Sequence, residues 1–250
     1  MLGELFKKYY KNITNLLPYL LIKSIFDVVL LRLSFINFEI SQLMYKYQDR
    51  EEITEILSSG YKDYIIGGII FLLISFLTTP IFGVFIGLIN KRILDNEKID
   101  QIKILKESLK YYFRYLGAVS VIILIIIGFL VMIVLSGIVP ILGILLIIGL
   151  FIFMIYVMTI YDVCTEYLIY YNSTVGEALK EGSTVGKKFF FRILILSIIV
   201  KGISKILDKI HTNNYFIILI IIILTIAIDI FQVLYRMNLC KISKKKSESY

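Results

Sequence analysis

The chain has 250 residues, of which 58% are hydrophobic and 18% are charged, and its mean hydropathy is +0.85. An ordinary soluble domain has about 45 to 50% apolar and about 25% charged residues, so this composition excludes one. Six membrane spans of about 20 residues each would use about 120 residues. We therefore expect a single integral membrane domain over residues 1–250, without a separate soluble catalytic domain.

The formal net charge is +8, from 27 Lys and Arg against 19 Asp and Glu. In a soluble protein such an excess could indicate nucleic-acid binding, but a membrane protein commonly retains Lys and Arg on its cytoplasmic side. We therefore expect no nucleic-acid partner. Cys164 and Cys240 lie beside the cytoplasmic ends of predicted spans, where thiols stay reduced, so no disulfide is predicted.

Apolar segments, taken in chain order, predict an all-α polytopic fold with six transmembrane helices. The strongest signal is residues 115–161, which contain 47 consecutive residues without a charge. This stretch is too long for one helix and fits two helices joined by a turn at residues 136–140. The predicted spans are residues 16–35, 65–89, 116–135, 141–160, 189–207 and 215–234.

The first and fifth spans are the weaker ones, because each contains three charged residues and could lie on the membrane surface instead. The distribution of cations favours keeping both. With six spans and both termini inside, 19 Lys and Arg fall on the cytoplasmic side and 5 on the outer side, as the positive-inside rule requires. The sequence therefore predicts a multi-pass protein of the cytoplasmic membrane with both termini in the cytoplasm.

Two polar segments between spans have helical periodicity and predict cytoplasmic amphipathic interfacial helices. The first begins at Asp100 and leads into the third span. The second begins at Thr174, where Thr174 and Glu177 match a capping box. Both segments are too polar to cross a membrane.

These amphipathic segments share a pattern that predicts a threefold repeat. Each ends in an aromatic pair followed by arginine, at residues 112–114 and 190–192, and a fainter copy lies at residues 5–11. In this interpretation, an amphipathic helix precedes each outgoing span and a second span returns.

The cations of the two amphipathic segments are candidate contacts for lipid headgroups. Lys and Arg near a membrane surface attract anionic lipids at about 1 kcal/mol each. We therefore expect membrane phospholipids, anionic ones in particular, as partners. The candidate contact residues are Lys103, Lys106, Lys110, Arg114, Lys187, Lys188 and Arg192.

The pattern of residues 177–180, Ser183 and residues 187–192 entering a span resembles a recurrent signature of bacterial membrane proteins. These include the membrane domain found beside some glycerophosphodiester phosphodiesterases and the related YciC-like six-helix proteins. The resemblance covers most of the chain and implies a six-helix integral membrane fold with amphipathic connectors. It does not imply phosphodiesterase activity, because that chemistry belongs to an appended barrel with metal-binding carboxylates and histidines.

Motifs for enzymatic chemistry are missing from the sequence. A metal or acid–base site needs His, Cys and carboxylates clustered at ligand spacing, and the single histidine, His211, stands alone in a predicted outer loop. Walker, zincin and rhomboid motifs are also absent. We therefore expect a non-enzymatic protein without a metal or cofactor.

Ionisable residues inside the predicted spans are the remaining candidates for a site, because unpaired charge in hydrocarbon is costly. We expect spans one, five and six to pack around Lys23, Asp27, Lys201 and Asp229. Depth along the helices matches Asp27 with Lys201 and Lys23 with Asp229, whereas Lys23 and Asp27 are also i,i+4 neighbours. Three interpretations stay open: snorkelling lysines, structural ion pairs, or an ion or proton path.

These features together predict a scaffold or accessory subunit in a membrane or lipid-related process. The alternative is a permease or transporter component that uses the four buried charges. A water-filled cavity reaching Asp27 or Lys201 would favour transport, and a closed bundle with lipid-facing grooves would favour the scaffold.

Overall fold

The structure, a computed structural model, describes residues 2–46, 61–136, 140–208 and 215–247. Within these ranges the chain forms eight α-helices and no strand, so the predicted all-α fold is confirmed for them. The helices are α1 (Leu2–Lys11), α2 (Ile13–Lys46), α3 (Tyr61–Asp95), α4 (Gln101–Ser136), α5 (Pro140–Tyr171), α6 (Val175–Lys188), α7 (Phe190–Asp208) and α8 (Tyr215–Ser247).

Five of the described helices contain a segment that is long and apolar enough to cross a membrane, as in a membrane-spanning protein. They match the first, second, third, fourth and sixth predicted spans. The fifth predicted span forms α7, which is not among the five and carries three cations in its 19 residues. The five segments are Ile13–Leu30, Gly68–Asp95, Gln101–Met132, Ile148–Tyr171 and Phe216–Lys244.

The long helices extend beyond the hydrocarbon core of a bilayer. Helices α3 and α4 contain 35 and 36 residues. At about 1.5 Å per residue each is about 50 Å long, against about 30 Å for the hydrocarbon core. Each therefore has a membrane-crossing part and a part that projects beyond it.

Apolar side chains are exposed on the membrane-crossing parts. Leu72 on α3, Leu124 on α4 and Ile152 on α5 are 66%, 66% and 63% exposed. In water such an extended apolar surface is unusual for a monomer. Acyl chains are as apolar as leucine, so the same surface is compatible with lipid. These exposed side chains therefore form the lipid-facing surface.

The buried core lies at one end of the bundle. Leu16, Ile89, Ile104, Leu168 and Leu234, one from each of five helices, are fully buried there. We call this the basic end, and it comprises α1, residues 13–20 of α2, residues 84–95 of α3, residues 101–118 of α4, residues 160–171 of α5, α6 and residues 226–241 of α8.

Helix α1 packs on the basic end through Leu5 and Tyr9, which are buried. The Tyr9 hydroxyl donates a hydrogen bond to the carbonyl oxygen of Ala227 at 2.7 Å. Burial raises the pKa of Tyr9 to about 12, so the phenol keeps the proton that it donates. Lys8 Nζ donates to the carbonyl oxygen of Leu94 at 3.3 Å. These bonds connect α1 to both α3 and α8.

Helix α6 begins with the predicted capping box. The backbone N–H of Glu177 donates to Thr174 Oγ1 at 3.4 Å, and the backbone N–H of Thr174 donates to Glu177 Oε2 at 3.0 Å. The hydrogen bonds that the Glu177 carboxylate accepts from Thr174 lower its pKa, so it stays ionised beside the positive end of the helix dipole. The predicted start of this helix is confirmed.

Helix α6 packs along α5 at very short range. A Cβ atom at Gly182 would lie 2.7 Å from Cys164 Cα, and one at Gly186 would lie 2.6 Å from the carbonyl oxygen of Ile160. Both obstacles are backbone atoms, so only glycine fits at these two positions. The face of α6 that carries Gly182 and Gly186 therefore contacts α5 and not lipid.

The predicted repeat copies join their spans in different ways. The segment that starts near Asp100 continues without a break into the span as the single helix α4. Helices α6 and α7 are separated at Phe189, whose φ and ψ are −113° and 19°, and α1 and α2 are separated at Asn12. The copies at α1 and α6 are therefore each followed by a break before the next helix, whereas the copy at the start of α4 is not. The threefold repeat stays a prediction.

Substitution Gly186→Ala should lower the free energy of unfolding by about 1–3 kcal/mol, because the added methyl group overlaps the Ile160 backbone. Gly176 lies in the same helix and faces open space. Gly176→Ala should therefore leave the free energy of unfolding unchanged or raise it by up to about 1 kcal/mol. Thermal unfolding of the detergent-solubilised protein measures both. Equal midpoints would contradict the close packing of α6 on α5.

Candidate functional site

Charged side chains at the basic end pair between helices. The carboxylate of Asp95, at the end of α3, accepts hydrogen bonds from Lys241 Nζ at 2.6 Å and from the Tyr170 hydroxyl at 2.8 Å. Because Lys241 belongs to α8 and Tyr170 to α5, one carboxylate connects three helices. Hydrogen bonds to an ionised group are roughly twice as strong as neutral ones.

Arg236 on α8 forms a largely buried ion pair with Glu166 on α5. Their side chains are 13% and 4% exposed, and Nη2 of Arg236 lies 2.6 Å from Oε1 of Glu166. Nη1 also lies 3.2 Å from Oδ2 of Asp162, whose side chain is 49% exposed. Removing one partner of a buried pair typically costs about 3–5 kcal/mol, because the other charge is left uncompensated. The pair therefore fixes α8 against α5.

The sequence pattern does not predict these pairs. One signal is present in the sequence. Asp162 and Glu166 are i,i+4 neighbours and the only charges of α5, and Arg236 is the only charge among residues 230–240 of α8. The partners are 70 residues apart for Glu166 and Arg236, and no local pattern relates such distant segments. Only the fold brings them together.

The structure pairs two of the four predicted buried charges directly and places a third near them. Lys23 and Asp27 form an i,i+4 ion pair on α2, with side chains 25% and 26% exposed. Lys201 on α7 and Asp229 on α8 are exposed, and among the described side chains no hydrogen bond or ion pair joins either of them to the Lys23–Asp27 pair. Helices α2 and α8 are in contact, as are α7 and α8. Asp229 lies within electrostatic range of Lys23 and Asp27, whereas among the described residues no such interaction connects Lys201 to them.

A cleft of about 620 Å³ opens between α3, α4 and the turn from α5 to α6, and we call it the α4 cleft. Two carboxylates line it, Glu97 and Glu107, and Glu107 is already paired with Arg92 at 2.9 Å. The cleft is net positive and suits an anion, because six cations line it: Lys91, Arg92, Lys103, Lys106, Lys110 and Arg114.

The predicted headgroup contacts divide into two groups. Four of them line the α4 cleft, namely Lys103, Lys106, Lys110 and Arg114. The other three are exposed around the junction of α6 and α7: Lys187, Lys188 and Arg192. The α3 residues of the cleft, Lys91 and Arg92, are not among the predicted contacts, because they belong to no amphipathic pattern.

The first three turns of α4 present three distinct faces. Ile104, Ser108 and Tyr111 are buried against the bundle, and the lysines line the cleft. The third face is an exposed row that we call the α4 stripe, an apolar surface beside cations that is typical of helices at a membrane interface. It consists of Ile102, Leu105, Leu109 and Phe113, which are 71%, 51%, 65% and 78% exposed.

Comparisons of the chain with protein-family models, with curated proteins and with solved structures found no match. The resemblance to six-helix bacterial membrane proteins therefore stays a prediction. Over the described residues, no group of three or more His, Cys, Asp or Glu side chains is placed to hold a metal ion. His211 lies outside the described residues.

Substitution Arg236→Gln should lower the free energy of unfolding by about 3–5 kcal/mol, because it leaves the Glu166 carboxylate buried without its partner. Asp162→Asn removes the exposed carboxylate of the same cluster and should cost only about 0–1 kcal/mol. The double variant Arg236→Gln with Glu166→Gln should recover part of the loss, because neither charge is then left alone. Unfolding of the detergent-solubilised protein measures all three, and equal losses for Asp162→Asn and Arg236→Gln would refute the assignment.

Proposed function

We propose that the chain is a non-enzymatic integral membrane protein that holds anionic phospholipid headgroups at the α4 cleft and serves as a scaffold or accessory subunit in a lipid-related membrane process. The observation that carries this proposal is the placement of the six cations of the cleft beside the exposed α4 stripe. At a membrane surface, headgroup phosphates and acyl chains lie side by side, so one lipid can contact both.

In this proposal the chain crosses the membrane six times, and α7 supplies the sixth crossing. Its 19 residues extend about 28 Å, close to the hydrocarbon core of about 30 Å. Lys201 and Lys205 are exposed on α7, and such side chains can snorkel to the interface. In this topology 19 Lys and Arg lie on the cytoplasmic side and 5 on the outer side, which supports a plasma-membrane protein with both termini in the cytoplasm.

Cysteine labelling tests this orientation. A membrane-impermeant maleimide should label Ser58→Cys in intact cells, because Ser58 lies in a predicted outer loop, outside the described residues. Lys11→Cys, exposed at the end of α1, should react only after the membrane is permeabilised. The native Cys164 and Cys240 are buried and should add little background. Labelling of Lys11→Cys from outside intact cells would reverse the proposed orientation.

Lipid binding at the α4 cleft should depend on charge and on position. Substituting Lys103 and Lys106 with Gln removes two cations from the cleft. At about 1 kcal/mol per cation, affinity for phosphatidylglycerol should fall about 30-fold, and the wild-type affinity should itself fall with rising salt. Native mass spectrometry of the detergent-purified protein with added lipid measures this affinity.

A matched control removes the same charge elsewhere. Lys201→Gln with Lys205→Gln takes two exposed cations from α7 and should change phosphatidylglycerol affinity by less than about twofold, because these residues are outside the cleft. If both double variants lose the same affinity, the attraction is spread over the whole chain and the α4 cleft is not a binding site.

A permease or transporter component is the second candidate, and one observation favours it. The Lys23–Asp27 ion pair lies within the apolar segment Ile13–Leu30, and intramembrane charges often belong to ion or proton paths. The pair is local to one helix, however, and a purely structural pair has the same geometry. The α4 cleft therefore supports lipid binding more directly than this pair supports transport.

A further inference from the structure

A second basic cleft lies beside the first, between α1 and the end of α3, and we call it the α1 cleft. Its volume is about 620 Å³. Four cations and two carboxylates are among its lining residues: Lys7, Lys8, Lys11, Arg92, Glu4 and Glu97. Cations outnumber carboxylates here as well, so the α1 cleft also suits an anion.

The two clefts meet at Arg92, since Arg92 and Glu97 line both of them. Arg92 is 8% exposed and its guanidinium is held in place. Nη2 donates to Oε2 of Glu107 at 2.9 Å, and Nη1 donates to the carbonyl oxygen of Lys98 at 3.4 Å. A guanidinium has five N–H donors, so further donors remain for an anion. Anions in the two clefts would be neighbours on either side of one fixed cation.

Helix α1 repeats the three-faced arrangement of α4. Leu5 and Tyr9 face the bundle, and the lysines line the α1 cleft. Three apolar side chains spaced by four residues form an exposed row, which we call the α1 stripe: Leu2, Phe6 and Tyr10, at 52%, 58% and 69% exposure. Each cleft is thus accompanied by its own apolar stripe. A soluble anion would use the clefts and leave both stripes uncovered.

We infer that the two clefts together bind a single lipid that carries two phosphates joined by a short bridge. One phosphate occupies each cleft, and the acyl chains lie against the α1 and α4 stripes. Once the first phosphate is bound, the second binds within the same complex, so its effective concentration is high. This inference rests on the proposed function, because the α4 cleft is one of its two halves.

Two probes separate this inference from simple charge attraction. Tetraoleoyl cardiolipin has two phosphates on a glycerol bridge, and dioleoyl phosphatidylglycerol has one. In native mass spectrometry of the full-length, detergent-purified protein, cardiolipin should bind about 100-fold more tightly. Lys7→Gln with Lys11→Gln should lower cardiolipin affinity at least about tenfold, while phosphatidylglycerol affinity stays within about twofold. Both lysines are exposed, and an unchanged thermal midpoint confirms that the variant is folded.

The other outcomes are distinct. Equal affinity for the two lipids, together with loss of phosphatidylglycerol binding in the Lys103→Gln, Lys106→Gln variant, would overturn the two-phosphate site and leave the proposed function intact. If the Lys103→Gln, Lys106→Gln variant binds both lipids with the wild-type affinity, the proposed function itself fails. Inorganic pyrophosphate that displaces cardiolipin at equal concentration would identify a soluble diphosphate as the ligand and overturn the lipid assignment.

Discussion

Lipid gives helices no hydrophobic reason to associate, because acyl chains are as apolar as the side chains that they contact. Association must then come from packing and polar contacts, and in this protein both are found at the basic end. There Leu168 and Leu234 are fully buried, and Arg236 pairs with Glu166. In the membrane-crossing parts, side chains such as Leu124 remain exposed. The location of the core follows from where polar contacts are available.

The cations of the basic end are of two kinds: those paired with a carboxylate of a neighbouring helix and those that line the two clefts. Arg236 and Lys241 are neutralised by carboxylates of neighbouring helices, and they hold the bundle together. The cations of the α4 and α1 clefts outnumber the carboxylates beside them. Arg92 belongs to both groups, since it pairs with Glu107 and lines both clefts. The ion pair with Glu107 thus holds Arg92 in place between the two clefts, and the lysines of the clefts lie around it.

Local sequence patterns were sufficient for what depends on neighbouring residues. Apolar run length predicts the five helices that are long and apolar enough to cross a membrane, and the spacing of Thr174 and Glu177 predicts the start of α6. Contacts between distant segments were not predictable in this way. Depth along a helix gave Lys201 as a partner for Asp27, but pairing also depends on rotation about the helix axis, and in the structure Lys201 is exposed. The packing of α6 depends on backbone atoms of α5 opposite Gly182 and Gly186. The periodicity of α6 carries no information about these atoms, because they belong to another helix.

Because the buried core lies at one end of the bundle, the protein can adapt to bilayers of different thickness. Helices joined at the basic end are free to tilt elsewhere, because few buried contacts oppose tilting. In the most apolar 18-residue stretches of α4 and α8, only 6% and 11% of the residues are buried. Tilting accommodates hydrophobic mismatch at fractions of a kcal/mol per Å. The protein should therefore tolerate thin and thick bilayers alike, with the same interhelical pairs intact in each.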